Sequence, residues 1–148
     1  MIGLLQRVSS AQISVEGENI ASIADGLLVL VGVERGDTET EARRLAERLA
    51  NYRVFSDAAG KMNLCLRDTD GELLLVPQFT LAADTTRGNR PGFSTAAEPA
   101  LGKELFDCLV KAALTQHSKV QTGQFGADMQ VTLCNEGPVT ISLRVPPE

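Results

Sequence analysis

Histidine and cysteine, the residues that most often carry hydrolytic or metal chemistry, are scarce in these 148 residues: one histidine, three cysteines, and no tryptophan. A single imidazole, His117, argues against a catalytic zinc centre, which usually draws on two or more. It also leaves a Ser-His-Asp triad or a Cys-His pair without a second candidate base. His117 itself follows the apolar stripe of a helix and sits in the polar run Thr115 to Lys119, so it is expected to face solvent at a helix C-terminus. Cys65, Cys108 and Cys134 fit neither a zinc spacing nor a disulfide framework. Cys108 and Cys134 lie in apolar patterns, where a thiol behaves as a small hydrophobe. No apolar run reaches the roughly 18 residues of a membrane span. The segment Met1 to Arg7 lacks the basic-then-apolar order of a signal peptide, which makes the cytoplasm the expected location. Positive charge is short as well, with a net charge of -5. A protein that coats nucleic acid over a broad basic face is therefore excluded. An enzyme that grips only the end of an RNA is not, because a few phosphate contacts suffice for that.

Hydrophobic residues make up 43% of the chain and charged ones 22%, the balance of one globular domain over residues 1–148. Strands are expected at Met1 to Val8, Ala11 to Val15, Leu27 to Val33, Tyr52 to Phe55 and Leu73 to Leu81. Turns fall at Glu16 to Asn19 and Asp57 to Gly60. Asp37 is placed to cap a helix whose stripe is Ala42, Leu45, Ala46, Leu49 and Ala50. A second helix is expected over Pro99 to Thr115, with Leu101, Leu105, Cys108, Leu109 and Ala112 inward. Met129, Val131 and Leu133, then Val139, Ile141, Leu143 and Val145, alternate with polar residues on either side of Asn135 to Thr140. That pattern reads as a closing hairpin. Two helices with seven or eight strands give a mixed α/β class with a largely antiparallel sheet system.

Four short motifs stand in order: Gln78-Phe79-Thr80-Leu81, Gly88-Asn89-Arg90-Pro91, Gly123-x-Phe125-Gly-Ala-x-Met129 and Asn135-x-Gly137-Pro138-Val139-Thr140. With Arg7-Val8, Gly26 to Val33 and Gly60 to Asn63, they make the whole chain resemble the D-aminoacyl-tRNA deacylases. The resemblance implies barrel-like sheets, a homodimer, tRNA as partner and no cofactor. It implies hydrolysis of the ester of D-aminoacyl-tRNA, and of glycyl-tRNA, whose acyl group has no side chain to exclude. Gln78, Phe79 and Thr80 would then form the catalytic segment. Gly137 and Pro138, joined in cis, would enter the partner's pocket and hold the α-amino group of a D-residue. Phe125 and Ala97 match pocket-lining segments, though as apolar residues they fit a plain core equally. Lys61, Arg87 and Arg90 are the candidate RNA contacts, or else members of solvated loops. One departure stands out: the family's serine before Gln-Phe-Thr-Leu is Pro77 here, so an oxyanion donor has to come from Gln78 or Phe79 onward.

Thr80 is the obvious side-chain nucleophile, but an isolated threonine needs a base and none is visible. An aminoacyl ester is already activated and carries a vicinal ribose hydroxyl. Placement and main-chain N–H groups would then suffice, with the substrate's 2′-hydroxyl assisting a water. Two other readings stay open on the sequence: a non-catalytic module that binds the aminoacyl end, and a side-chain hydrolase of small esters or amides.

Overall fold

One 14-residue strand, β1 (Ile2–Val15), organises the sheet in the computed structural model, which describes all 148 residues. Ser9 and Ser10 continue the extended backbone, so the two short strands expected here are a single element. One edge of β1 takes two partners in succession. β3 (Gly26–Gly32) pairs antiparallel with its first half and β2 (Glu18–Ile23) with its second. Glu16 and Gly17, both at positive φ, form the two-residue turn from β1 to β2, the backbone that matches the twist of a tight hairpin. β8 (Gln130–Arg144) runs antiparallel along the whole opposite edge of β1. β6 (Glu72–Pro77) joins β3 in parallel, and β7 (Val120–Thr122) joins β6 in parallel.

The cylinder closes between β7 and β2 through a side chain. The Ser22 N–H donates to Gln121 Oε1 at 3.0 Å, and Gln121 Nε2 donates to the Ser22 carbonyl at 2.7 Å. A carboxamide thus stands in for a peptide unit at the seam. Successive residues of β3 and β6 face opposite ways. Leu27, Val29, Leu73 and Leu75 pack toward the helices, while Leu28, Leu74 and Val76 fill the cylinder with Val8, Ile13 and Ile23. Both faces being buried explains why these strands read as unbroken apolar runs.

There are three helices rather than two: α1 (Glu39–Asn51), the single turn α2 (Leu66–Thr69) and α3 (Pro99–Gln116). Four residues are too few for a helical period to show, which is why α2 escaped the sequence. α1 buries Ala42, Leu45, Ala46, Leu49 and Ala50, the stripe expected of it. On α3, Leu105, Phe106, Leu109 and Ala113 are buried while Leu101 is exposed. The stripe is therefore rotated from the expected one toward Phe106. Tyr52 ends α1 rather than opening a strand; β4 is only Phe55–Ser56, paired with β5 (Met62–Leu64) around the 57–60 turn.

The cap of α1 is Thr38, not Asp37. Thr38 Oγ1 accepts the Thr40 N–H at 3.2 Å, and Glu41 reaches back to the Thr38 N–H at 2.6 Å, a capping box whose cap residue contributes about 1 kcal/mol. Asp37 is buried instead, with Oδ1 2.8 Å from the Met1 ammonium and Oδ2 accepting the Glu34 N–H at 2.7 Å. Hydrogen bonds from Thr38 hold the Glu41 carboxyl below its usual range. A carboxyl depressed in the folded state stabilises above its unfolded pKa, about 4.3, and loses that contribution as pH falls. Between pH 5 and 3 the Tm of Glu41→Gln is accordingly expected to fall less steeply than that of the wild type. Parallel melting curves over that range check this; equal slopes would remove Glu41 from the acid response.

Candidate active site

Three neighbouring parallel strands, β3, β6 and β7, all end at one side of the cylinder, and a cleft of about 440 Å³ opens there. Val31 and Val33 enter it from β3 and its exit, Val76 and Pro77 from β6, and Phe106 from α3. β6 stops at Pro77, short of the strand expected to run to Leu81, because proline offers no N–H to continue the ladder. The chain then turns into a 3₁₀ turn over Phe79–Ala82. This turn rests on Gly32, where an added Cβ would lie 2.9 Å from Leu81 Cβ and 3.2 Å from the Gln78 carbonyl oxygen. Only glycine at the end of β3 allows so close an approach.

The main chain of this turn supplies the polar groups. The Gln78 N–H is already committed to the Val31 carbonyl at 2.7 Å, so it is not the free donor the sequence allowed it to be. Phe79 and Thr80 head the turn, where the i→i+3 pattern gives their N–H groups no intrahelical acceptor. Gln78 and Phe79 line the cleft; Thr80 does not and lies exposed beside it. Thr80 Oγ1 accepts a hydrogen bond from Gln78 Nε2. The donor is an amide, which cannot take the hydroxyl's proton.

Ala97 and Phe125 line the same cleft. Ala97 is held by its N–H to the Val33 carbonyl at 3.0 Å. Phe125 lies against α3, where Gly102 leaves room for its ring and Phe106 stands 6.5 Å away between centroids. Met129 folds back toward Gly123, accepting the Gln124 N–H on Sδ at 3.4 Å. That fold-back gives the loop leading to Phe125 its shape. Asp128 is the one ionisable side chain on the lining.

His117 is no part of this site. It is buried rather than solvent-facing, with Nε2 2.6 Å from the Gly71 carbonyl oxygen. Gly71 precedes β6, whereas the cleft lies beyond the other end of that strand, about 20 Å away at the usual rise per residue. Cys134 is exposed and Cys108 half-buried, so the apolar placement expected of both fails for Cys134; only Cys65 is fully inside. Burial pushes the Cys108 thiol up, away from thiolate chemistry.

Gly137 and Pro138 are joined in cis and do not line the cleft of their own chain. They do not form a hairpin tip either. Both flanks pair with β1, from Gln6 opposite Thr140 to Val8 opposite Asn135, so five steps along β8 oppose two along β1. The surplus residues bulge outward from one continuous strand. Asn135 ties the bulge at its base, donating to Thr140 Oγ1 at 2.7 Å and accepting the Val139 N–H at 3.0 Å. Arg7 braces it from β1, donating to the Glu136 carbonyl at 3.1 Å and the Val54 carbonyl at 2.8 Å.

The family model described as D-Tyr-tRNA(Tyr) deacylase matches residues 4–144 of this chain. The chain belongs to the D-aminoacyl-tRNA deacylase family. Relatives named D-aminoacyl-tRNA deacylase include one from Thioalkalivibrio sulfidiphilus, 60% identical and covering 99% of both chains. Another, from Nitrosococcus oceani, is 57% identical over 99% of this chain and 95% of its own. Among solved structures, one described as c-Myc DNA Unwinding Element Binding Protein superposes with a TM-score of 0.94 at 35% identity, over 99% of each chain. A second, described as a probable eukaryotic D-amino acid tRNA deacylase, reaches 0.82 at 16% identity over 96% of this chain and 97% of that one, and shows the shared fold. By family, then, this chain is an ester hydrolase.

Within this deacylase the cationic candidates separate into two places. Arg87 and Arg90 lie on an exposed loop pinched shut at its base by paired hydrogen bonds between Asp84 and Gly92. The loop follows directly from the 3₁₀ turn. Lys61 lies on the exposed turn of the β4–β5 hairpin and does not line the cleft. Several residues shape the site in ways the sequence did not show, although Gly32 and Gly123 stand in segments of the family likeness. Gly32, Gly123 and Gly102 act through space they leave empty, which a single sequence does not show. Arg7 was visible only as part of the family likeness.

Proposed function

We propose that this deacylase cleaves the ester joining a D-amino acid to the 3′ end of tRNA, in the cytoplasm, as a homodimer and without a cofactor. The observation that carries the reading is an apolar cleft bordered by a 3₁₀ turn whose first two residues, Phe79 and Thr80, have N–H groups without an intrahelical acceptor. That arrangement suits an activated acyl group that needs an oxyanion partner more than a base. A water attacks the acyl carbon, and the carbonyl oxygen gathers negative charge against those N–H groups. The 2′-hydroxyl of the terminal ribose accepts the water's proton and passes one to the departing 3′-oxygen, so the products are a free D-amino acid and an intact tRNA. Family membership supports the substrate class.

Chirality is read by main chain from across the dimer. The dipeptide of one chain is not on the lining of its own cleft: Val131, which is, stands opposite Ile13 on β1, whereas the dipeptide bulges out between the positions opposite Val8 and Gln6. The partner subunit's Gly137 and Pro138 carbonyls accept the α-ammonium of a D-residue, and an L-residue held by the same amine and ester drives its side chain into that wall. Glycyl-tRNA passes, having nothing to collide. In this reading Arg87 and Arg90 take phosphates of the acceptor end beside the cleft, and Lys61 those reached across the two-fold axis.

Purified protein offered D-tyrosyl-tRNA and L-tyrosyl-tRNA should release tyrosine only from the first; equal release from both would sink the reading. Thr80→Ala should keep kcat within about tenfold of wild type, the main-chain donors being untouched. A loss approaching the ~10⁶ typical of a removed nucleophile would make Thr80 the attacking group instead.

A further inference from the structure

We propose that Phe93 is a positioning residue whose ring forms, with Phe79, the platform on which the terminal nucleobase of the RNA substrate stacks. The proposal rests on the substrate class given above and extends it to a residue that lies outside the cleft. Phe79 and Phe93 are large apolar side chains left 58% and 39% exposed, at 5.0 Å between ring centroids and 57° between planes. Two adjacent open aromatic rings on a surface otherwise rich in charge mark a binding position rather than stray exposure.

Their order in space matches the order of groups along an aminoacyl ester. The apolar cleft takes the acyl side chain, and the Phe79 and Thr80 N–H groups take the carbonyl oxygen. Phe79 lines the cleft and touches Phe93, which does not. The next positions outward therefore fall to the ribose and its base. Beyond Phe93 comes the loop of Arg87 and Arg90, neither of which forms a salt bridge, where phosphates would follow. Rings at 57° cannot sandwich a base between them; one supplies a face and the other closes an edge.

Phe93 is also held in place more firmly than loop residues usually are. Gly92 before it bonds twice to Asp84, and the Phe93 carbonyl accepts the Ala96 N–H at 3.1 Å. Thr95 donates its hydroxyl to the Ala82 carbonyl, and the Arg35 N–H donates to the Thr95 carbonyl at 2.9 Å. The segment bearing Phe93 is thus stitched to the 3₁₀ turn bearing Phe79, so the two rings form one preset surface.

The test compares 3′-O-(D-alanyl)adenosine with the same D-alanyl ester on a ribose that lacks the base. For the wild type the base should lower KM by about 5- to 150-fold, the usual range for one base stacked on an aromatic ring, with kcat changed little. Phe93→Leu should erase that difference and Phe93→Tyr should restore it, since tyrosine keeps the ring. Melting curves of each variant separate a folding defect from a lost contact. Binding of the corresponding non-hydrolysable 3′-amides, with and without the base, is measured alongside. A base preference in binding that Phe93→Leu erases supports the platform even if no ester is cleaved, in which case only the hydrolytic reading fails. A wild type that binds both amides equally, or a Phe93→Leu protein that keeps the preference, overturns the proposal.

Discussion

Gly137→Ala is expected to cost this deacylase about 100-fold or more in kcat/KM on D-aminoacyl-tRNA, the scale of a misplacement near 1 Å in a positioned site. Gly137 has φ of +129°, and a Cβ there would lie 2.9 Å from Val139 Cγ2 and 3.0 Å from Arg7 Nη2. Alanine would be strained at that angle by about 1–3 kcal/mol and would push against the residue that braces the bulge. The Tm should drop by no more than about 2–4 °C per kcal/mol, because the site lies on the exposed outer strand. Single-turnover hydrolysis of D- and L-tyrosyl-tRNA by the purified variant, next to its melting curve, checks both. If the variant keeps wild-type rates and the wild-type ratio of D to L, the bulge takes no part in recognising substrate. Mixing Gly137→Ala chains with chains disabled at the turn then tests the cross-subunit arrangement. Recovered activity in mixed dimers is the expected result, since one of the two clefts would combine an intact turn with an intact dipeptide.

The disabling substitution at the turn is Gly32→Ala. The new methyl would stand 2.9 Å from Leu81 Cβ and 3.2 Å from the Gln78 carbonyl oxygen. The strand end is fixed by its ladder to β1, so the 3₁₀ turn has to move. Overpacking of this kind costs about 1–3 kcal/mol of stability. The larger effect falls on kcat, because the Phe79 and Thr80 N–H groups lose their aim; removing one oxyanion donor elsewhere costs about 10²–10³. KM should rise as well, by less than kcat falls, because Gln78 and Phe79 move with the turn while the remaining lining stays in place. A variant with normal kcat would show that those two N–H groups do not face the developing charge.

What could be seen in the residues beforehand divides along a physical line. α1 was legible because its apolar period is set by one face against one core, and Ala42 to Ala50 supply it without interruption. β3 and the first part of β6 were legible because burial on both faces leaves only apolar residues. The partner of a strand was not. The run from Met129 to Val145 has the alternation and the Gly-Pro turn of a hairpin, yet its two arms pair with β1 and not with each other. Nothing within fifteen residues distinguishes a hairpin from a bulge when the deciding contact is more than 100 positions away. His117 misled for a related reason. Its neighbours are polar, but as the residue that ends α3 it has an extended backbone that turns the ring inward to Gly71.

The segment Gln78 to Leu81 was recognisable by its motif, but the strand expected to run on to Leu81 ends at Pro77. That the Gln78 N–H is spent on Val31 was hidden, since it depends on register between two parallel strands. What packs against the glycines of the turn and the cleft loop was equally hidden: Gly32 and Gly123 stand in segments of the family likeness, but a missing side chain says where space is allowed, not what fills it.

The carboxamide of Gln121 leaves the cylinder fastened along one line by a single residue in place of a ladder. Solvent exchange of amide protons should therefore be fastest along that line, and a partial breach there needs no global unfolding. Because Gln121 is followed within four positions by Phe125, such a breach would loosen one wall of the cleft. The side-chain seam of the shell and one wall of the cleft are consecutive stretches of one chain.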